Sequence, residues 1–254
     1  MRGEKNLFKV IQLAVYIVGF LIIKIPVMLK MKKLAARNDH RDDPELHAIA
    51  KYWSRRVMKI TGSKVEIIGA EHIPEGAVVM VGNHDSDLDI PVLLGFLEKP
   101  VAFVAKVEMK KIPLLSTWME ILRCSFMDRS SRRKAVESLK QSIEKVKNGH
   151  SLVIFPEGTR NLGGELLEFK AGALRLAKDG LAPIIPIVIE GTADIFEKNN
   201  KRIKPAHVIV KILPPIANEE LQKRDMVELA GEIQQLVAEE REELRKLNAM
   251  KPPL

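Results

Sequence analysis

Residues 10–23 carry no charge over fourteen positions, and Lys24 and Pro26 close the run before Val27, Met28 and Leu29 resume it. As a helix rising about 1.5 Å per residue, the run reaches roughly 21 Å, short of the ~30 Å hydrocarbon core of a bilayer. Extended to residues 7–29 with Lys9 and Lys24 snorkelling, it is long enough to span. No small-residue cleavage site closes it, so a secretory signal peptide fits poorly. A second helix is signalled by Asp43 as N-cap and Pro44 at the first helical position. Leu46, Ile49, Ala50, Trp53, Val57 and Ile60 then recur on one face, with Lys51, Arg55, Arg56 and Lys59 interspersed. The pattern predicts a two-helix membrane anchor over residues 1–60, dipping into one leaflet. The alternative for the second helix is an amphipathic element packed on the main domain. A linker over residues 30–42 separates the two.

From residue 61 the pattern changes to short β-type runs alternating with helical periodicity. Strands are predicted at residues 64–68, 77–81, 101–105, 124–127, 151–155, 184–189 and 207–212. Helices are predicted at residues 90–97, 114–122, 131–148, 170–179 and 218–247. Runs such as Val78-Val79-Met80-Val81 are continuous rather than alternating, which fits strands covered on both faces. The expected fold is an α/β domain over residues 61–254, with a mainly parallel or mixed sheet flanked by helices. Polar loops at strand ends are then the place for chemistry.

Charge sharpens this division. The chain has 254 residues and a formal charge of +8. Residues 1–60 hold 13 Lys and Arg against 5 Asp and Glu, leaving 28 against 28 in the remainder. A cationic, apolar N-terminal segment on a neutral body points to anionic membrane lipids as a partner and not to nucleic acid. The single cysteine, Cys124, excludes a disulfide framework and a multi-cysteine metal site.

Three loops carry candidate chemistry. The first is Asn83-His84-Asp85-Ser86-Asp87-Leu88-Asp89, after a strand and before a helix. Residues five apart on a continuous helix point about 140° from each other. His84 and Asp89 therefore meet only if the histidine lies in the loop and the aspartate in the first helical turn. A carboxylate on one imidazole nitrogen leaves the other as a general base. A calcium loop is rejected, because its sixth and twelfth positions would be Ile90 and Phe96. A divalent-metal site on His84 and these carboxylates, or Asp87 or Asp89 as a plain N-cap, are the alternatives. The second loop is Phe155-Pro156-Glu157-Gly158-Thr159-Arg160, a tight turn at a strand end that puts Glu157 and Arg160 on the edge expected to carry His84. Its alternative is a turn with a surface ion pair. The third is Phe126-Met127-Asp128-Arg129-Ser130, a strand running into a helix start. Lys106 and Lys110-Lys111 follow another strand and serve either a phosphate or a wet surface.

These residues resemble the glycerolipid acyltransferases. His84–Asp89 is similar to that family's His-x4-Asp motif, and Phe155–Arg160 to its third motif. Met127-Asp128-Arg129-Ser130 resembles the second, and the proline-bracketed strand Ala182-Pro183-Ile184-Ile185-Pro186-Ile187 the fourth, all in the family's order. The resemblance covers residues 64–189. It implies His84 as general base and Asp89 as its orienting partner. It further implies an acyl-acceptor site of Arg129, Glu157, Gly158 and Arg160, the arginines on the phosphate and Lys106 adding positive charge. No metal, no bound cofactor and no acyl-enzyme on Ser86 are implied. The implied reaction moves an acyl chain from acyl-CoA or acyl carrier protein to the 2-hydroxyl of 1-acyl-glycerol 3-phosphate (lysophosphatidic acid). The product is phosphatidic acid, made at the cytoplasmic face of the cell membrane. Another lysolipid or glycerol 3-phosphate is the alternative acceptor. A metal-dependent lipid phosphohydrolase and a non-catalytic membrane-binding protein are the rivals from other classes.

Overall fold

The computed structural model describes residues 2–37 and 44–254. Helix α1 (Arg2–Ile23) breaks at Lys24, and α2 (Ile25–Arg37) leaves at 57° to it. Pro26 sits at the break, where it can donate no hydrogen bond to the preceding turn. The predicted linker over residues 30–42 is therefore corrected: its described part, through Arg37, is helix. The expected N-cap Asp43 lies outside the described residues. Helix α3 (Pro44–Thr61) turns Leu46, Val57 and Met58 inward. It packs on α1 and on the helix after the second strand, where Arg55 Nε donates to the Gly95 carbonyl at 2.7 Å. Its apolar face thus covers protein. The outward apolar row lies on α1 instead, at Phe8, Ile11, Val15, Val18, Ile22 and Ile23. Met28 and Met31 of α2 bury against Leu46, Trp118 and Ile121 and tie the N-terminal helices to the body.

The body alternates as expected: β1 (Lys64–Ile68), β2 (Val79–Gly82), α4 (Asp89–Phe96), β3 (Ala102–Lys106), α5 (Leu115–Ile121), β4 (Ser125–Met127), α6 (Arg132–Lys147), β5 (Leu152–Ile154), α7 (Ala171–Gly180), β6 (Ile184–Glu190), β7 (His207–Ile212), α8 (Asn218–Lys223) and α9 (Met226–Ala249). The predicted helix over residues 218–247 is two helices. Asp225 is extended, and its carboxylate caps the Val227 and Glu228 amides, so α9 starts anew there.

The strands form one sheet in the order β1-β7-β6-β2-β5-β3-β4. The five strands from β6 to β4 run parallel; β7 is antiparallel to β6 and carries β1 with it. Every residue of β2, β5 and β6 is buried, as their unbroken apolar runs require when helices cover both faces. The neighbours β2 and β5 pass the chain in opposite directions, β2 through α4 to β3 and β5 through α7 to β6. Right-handed crossovers then put α4 and α7 on opposite faces and open a crevice at the carboxyl ends of β2 and β5. Gly82 closes the end of β2: a Cβ there would sit 2.3 Å from the Ile187 carbonyl oxygen, so only glycine lets β2 lie this close to β6.

Candidate active site

Asn83 turns the chain out of β2. Its carboxamide pairs both ways with the Ile189 backbone on β6, accepting from the amide at 2.9 Å and donating to the carbonyl at 2.7 Å. His84 then lies in the loop and Asp89 is the first residue of α4, the one arrangement in which the two side chains can meet. His84 Nδ1 is 2.8 Å from Asp89 Oδ2. The same oxygen accepts the backbone amides of Asp85 at 2.8 Å and Ser86 at 3.0 Å. Its companion Oδ1 accepts from Thr192 Oγ1 at 2.6 Å. A carboxylate that only accepts requires the proton on Nδ1, which leaves Nε2 as the bare lone pair. The His84 ring stacks on Phe155, with centroids 4.1 Å apart and planes 9° from parallel. Its side chain is 17% exposed while that of Asp89 is fully buried, so the histidine alone of the pair reaches the crevice.

The turn after β5 braces this pair. Glu157 is buried and spends both oxygens on protein. Oε1 accepts from the His84 amide at 2.7 Å, Oε2 from the Leu167 amide at 2.9 Å, and Asn161 Nδ2 reaches both. The Asn161 amide donates back to the His84 carbonyl at 2.8 Å. Glu157 therefore stitches the two loops together and does not face outward. Gly158 adopts φ +73, and a Cβ there would lie 2.5 Å from Arg129 Nη1, which donates to the Gly158 carbonyl at 3.0 Å. Arg160 Nη1 pairs with Asp87 Oδ2 at 2.5 Å and stands 3.8 Å from Glu197 Oε1. Asp87 is 80% exposed, so this is a surface ion pair of small worth that an incoming anion can replace. Lys106 is exposed at the carboxyl end of β3, in register with Met127 of β4, two residues before Arg129. The structure thus brings His84, Asp89, Gly158, Arg129 and Arg160 to one edge of the sheet.

The three carboxylates of the first loop do not converge. Asp85 pairs with Arg241, Asp87 with Arg160, and Asp89 with His84. Among the described residues no group of three or more His, Cys, Asp or Glu is placed to hold a metal ion. Ser86 Oγ donates to Glu197 Oε1 at 2.8 Å and accepts from the Leu88 amide, which gives it a bracing role. Burial pushes the Asp85 carboxyl up to about 6 against the opposing pull of Arg241, and burial likewise raises that of Glu197. Sequence reasoning did not single out Thr192, Glu190, Glu197 or Arg241. Only Arg241 left a trace in the sequence, as a charged residue in step with the apolar positions of α9.

The Acyltransferase family model matches residues 64–190. The chain is 36% identical over 181 residues to the 1-acyl-sn-glycerol-3-phosphate acyltransferase of Saccharomyces cerevisiae, covering 70% of this chain and 60% of that one. It is 38% identical over 154 residues to the probable 1-acyl-sn-glycerol-3-phosphate acyltransferase of Mycoplasma pneumoniae, covering 59% and 57%. The chain thus spans somewhat under two thirds of these curated relatives. The crystal structure of the 1-acyl-sn-glycerophosphate (LPA) acyltransferase, PlsC, from Thermotoga maritima superposes with a TM-score of 0.81 at 29% identity. That match covers 96% of this chain and 98% of that one.

Proposed function

The chain belongs to the acyltransferase family, and from that premise we propose that it acylates the 2-hydroxyl of 1-acyl-glycerol 3-phosphate, with acyl-CoA or acyl carrier protein as donor, to form phosphatidic acid. The observation that carries this reading is the 2.8 Å contact of His84 Nδ1 with an Asp89 carboxylate held by three further donors. That arrangement leaves Nε2 free to take a proton. His84 removes the proton from the acceptor hydroxyl as its oxygen attacks the thioester carbonyl. Collapse of the tetrahedral intermediate breaks the C–S bond, and the imidazolium returns the proton to the departing thiolate. Proton and acyl group are then accounted for by His84 and the two substrates, so we assign the reaction no metal and no bound cofactor.

Arg129 and Arg160 suit the phosphate, since guanidinium forks match its oxygens and Arg160 exchanges an exposed partner at little cost. Lys106 adds charge to the same edge. Glu157 and Gly158 shape the site: the glutamate fixes the loops and the glycine lets Arg129 approach. Arg160→Ala and Arg129→Ala are each expected to lower kcat/KM by about 10- to 150-fold through a raised acceptor KM. This corresponds to a charge-assisted hydrogen bond of ~1.5–3 kcal/mol. An unchanged acceptor KM in both would remove the arginines from the phosphate site. A panel of acceptors assayed with both donors tests the assignment itself. Lysophosphatidic acid is expected to exceed glycerol 3-phosphate and a lysophosphatidylcholine by at least about tenfold. Preference for either of those would overturn the acceptor assignment.

We further place α1 and α2 in one leaflet at the cytoplasmic face of an anionic membrane. Among the described residues no single helix is long and apolar enough to cross; α1 and α2 together are, but they are bent by 57°. The outward row on α1 then enters the acyl region while flanking lysines meet the headgroups. Each buried Val or Ile contributes roughly 1.5–3 kcal/mol, so Val15→Asp with Ile22→Asp is expected to lower binding to phosphatidylglycerol vesicles by more than about tenfold. Flotation of that variant at the parent level would contradict the placement.

A further inference from the structure

Arg241 lies on α9 among Leu229, Ile233, Val237 and Leu244, the residues by which that helix buries its apolar side. It is 2% exposed, and all three of its donor nitrogens are engaged. Nε donates to Glu190 Oε2 at 3.0 Å at the end of β6, and Nη1 to the Gly164 carbonyl at 2.8 Å in the loop after β5. Nη2 pairs with Asp85 Oδ2 in the loop after β2. Resting on the acyltransferase reading above, we propose that Arg241 is a positioning residue for the His84–Asp89 pair, clamping the two loops that aim it.

Two short routes join the guanidinium to the histidine. Along the first, Arg241 holds the Asp85 side chain, the Asp85 amide donates to Asp89 Oδ2, and that oxygen receives His84 Nδ1. Along the second, Arg241 holds the Gly164 carbonyl, the Gly164 amide donates to the Asn161 carbonyl at 3.1 Å, and the Asn161 amide donates to the His84 carbonyl at 2.8 Å. Ring and backbone of His84 are thus each fixed within a few bonds of one side chain 157 positions away in the sequence. Stability alone does not call for this device, because apolar residues of similar volume often replace a buried ion cluster without loss. A hydrophobic residue in step with the rest of the α9 stripe would cover the sheet; it would not fix the register of two loops against each other. Arg245 belongs to the same ion cluster through Glu190 but lies at its half-exposed rim, with its other contacts on the Gly163 and Gly164 carbonyls and on Glu242.

Kinetics of the full-length protein test the proposal, with folded fraction measured by circular dichroism. Arg241→Met and Asp85→Asn are each expected to lower kcat by about 10- to 100-fold, with acceptor KM within about twofold, as misplacing a reacting group by around 1 Å does. Arg241→Lys, which keeps the charge but cannot reach all three acceptors, recovers part of the loss. Arg245→Ala stays within about threefold of the parent. In an Asp89→Ala background only the Gly164–Asn161 route to His84 remains, and Arg241→Met costs at least about threefold less than in the parent. Parent-like kcat per folded molecule in Arg241→Met, Arg241→Lys and Asp85→Asn overturns the proposal. So does an equal penalty with and without Asp89. Should Arg241→Met not fold, Arg241→Lys and Asp85→Asn decide on the same criteria. His84→Ala separates the two readings: parent-like Arg241 variants beside an inactive His84→Ala end only this inference, whereas an active His84→Ala ends the reading beneath it.

Discussion

His84→Ala is expected to fold and bind vesicles as the parent does and to lose acyl transfer by a factor of about 10²–10⁴, the range over which a positioned general base contributes. The fold survives because the ring's polar contact is with one residue, Asp89, and that carboxylate keeps its three other donors. The backbone of His84 still pairs with Glu157 and Asn161. What is lost is stacking on Phe155 and the bare Nε2 of a ring that reaches the crevice. A purely structural histidine predicts the reverse, an earlier melt with parent turnover per folded molecule. Thermal denaturation paired with kcat distinguishes the two.

Asp89→Asn is expected to lower kcat by about 10²-fold or more while leaving acceptor KM and the fold intact. The substitution is nearly silent in geometry. With the amide oxygen at the Oδ2 position it still accepts from the Asp85 and Ser86 amides and from His84 Nδ1. The amide nitrogen then faces Thr192, whose hydroxyl can rotate to accept. The negative charge alone is removed, and with it the stabilisation of the imidazolium that forms as His84 takes the proton. A raised KM with unchanged kcat would show that Asp89 serves binding and not the proton transfer.

Much of this site was legible because it depends on short-range order. The runs at residues 77–81 and 152–155 are unbroken and apolar, so they read as buried parallel strands, and the motifs fall at their ends. The five-residue spacing from His84 to Asp89 admits contact only across a loop–helix junction, and that junction is where α4 begins. What was not legible depends on long-range partners. The roles of Thr192 and Arg241 follow from the segment after β6 and from α9 meeting the first loop, over separations of 103 and 156 residues, and Glu190 reaches Arg241 across 51. Glu157 reads as a presented carboxylate by local turn chemistry, yet the fold turns it inward onto two backbone amides. The face of residues 46–60 has the composition of a membrane-surface helix. Composition alone does not distinguish a bilayer from α4 as its partner, because both offer apolar area. The break before α9 is marked in the sequence by Asp225, an N-cap residue type that is equally at home on the solvent face of a continuous helix.

The proposed His84-dependent step joins the acyl group to the acceptor hydroxyl. Its most direct measurement follows an isotope-labelled acyl-CoA with 1-acyl-glycerol 3-phosphate and the full-length protein in vesicles, quantifying released thiol, phosphatidic acid, free fatty acid and inorganic phosphate together. Thiol and phosphatidic acid are expected in equal amounts, with neither formed by His84→Ala above about 1% of the parent rate. Thiol released with free fatty acid in place of phosphatidic acid, or phosphate released from the acceptor, would contradict it.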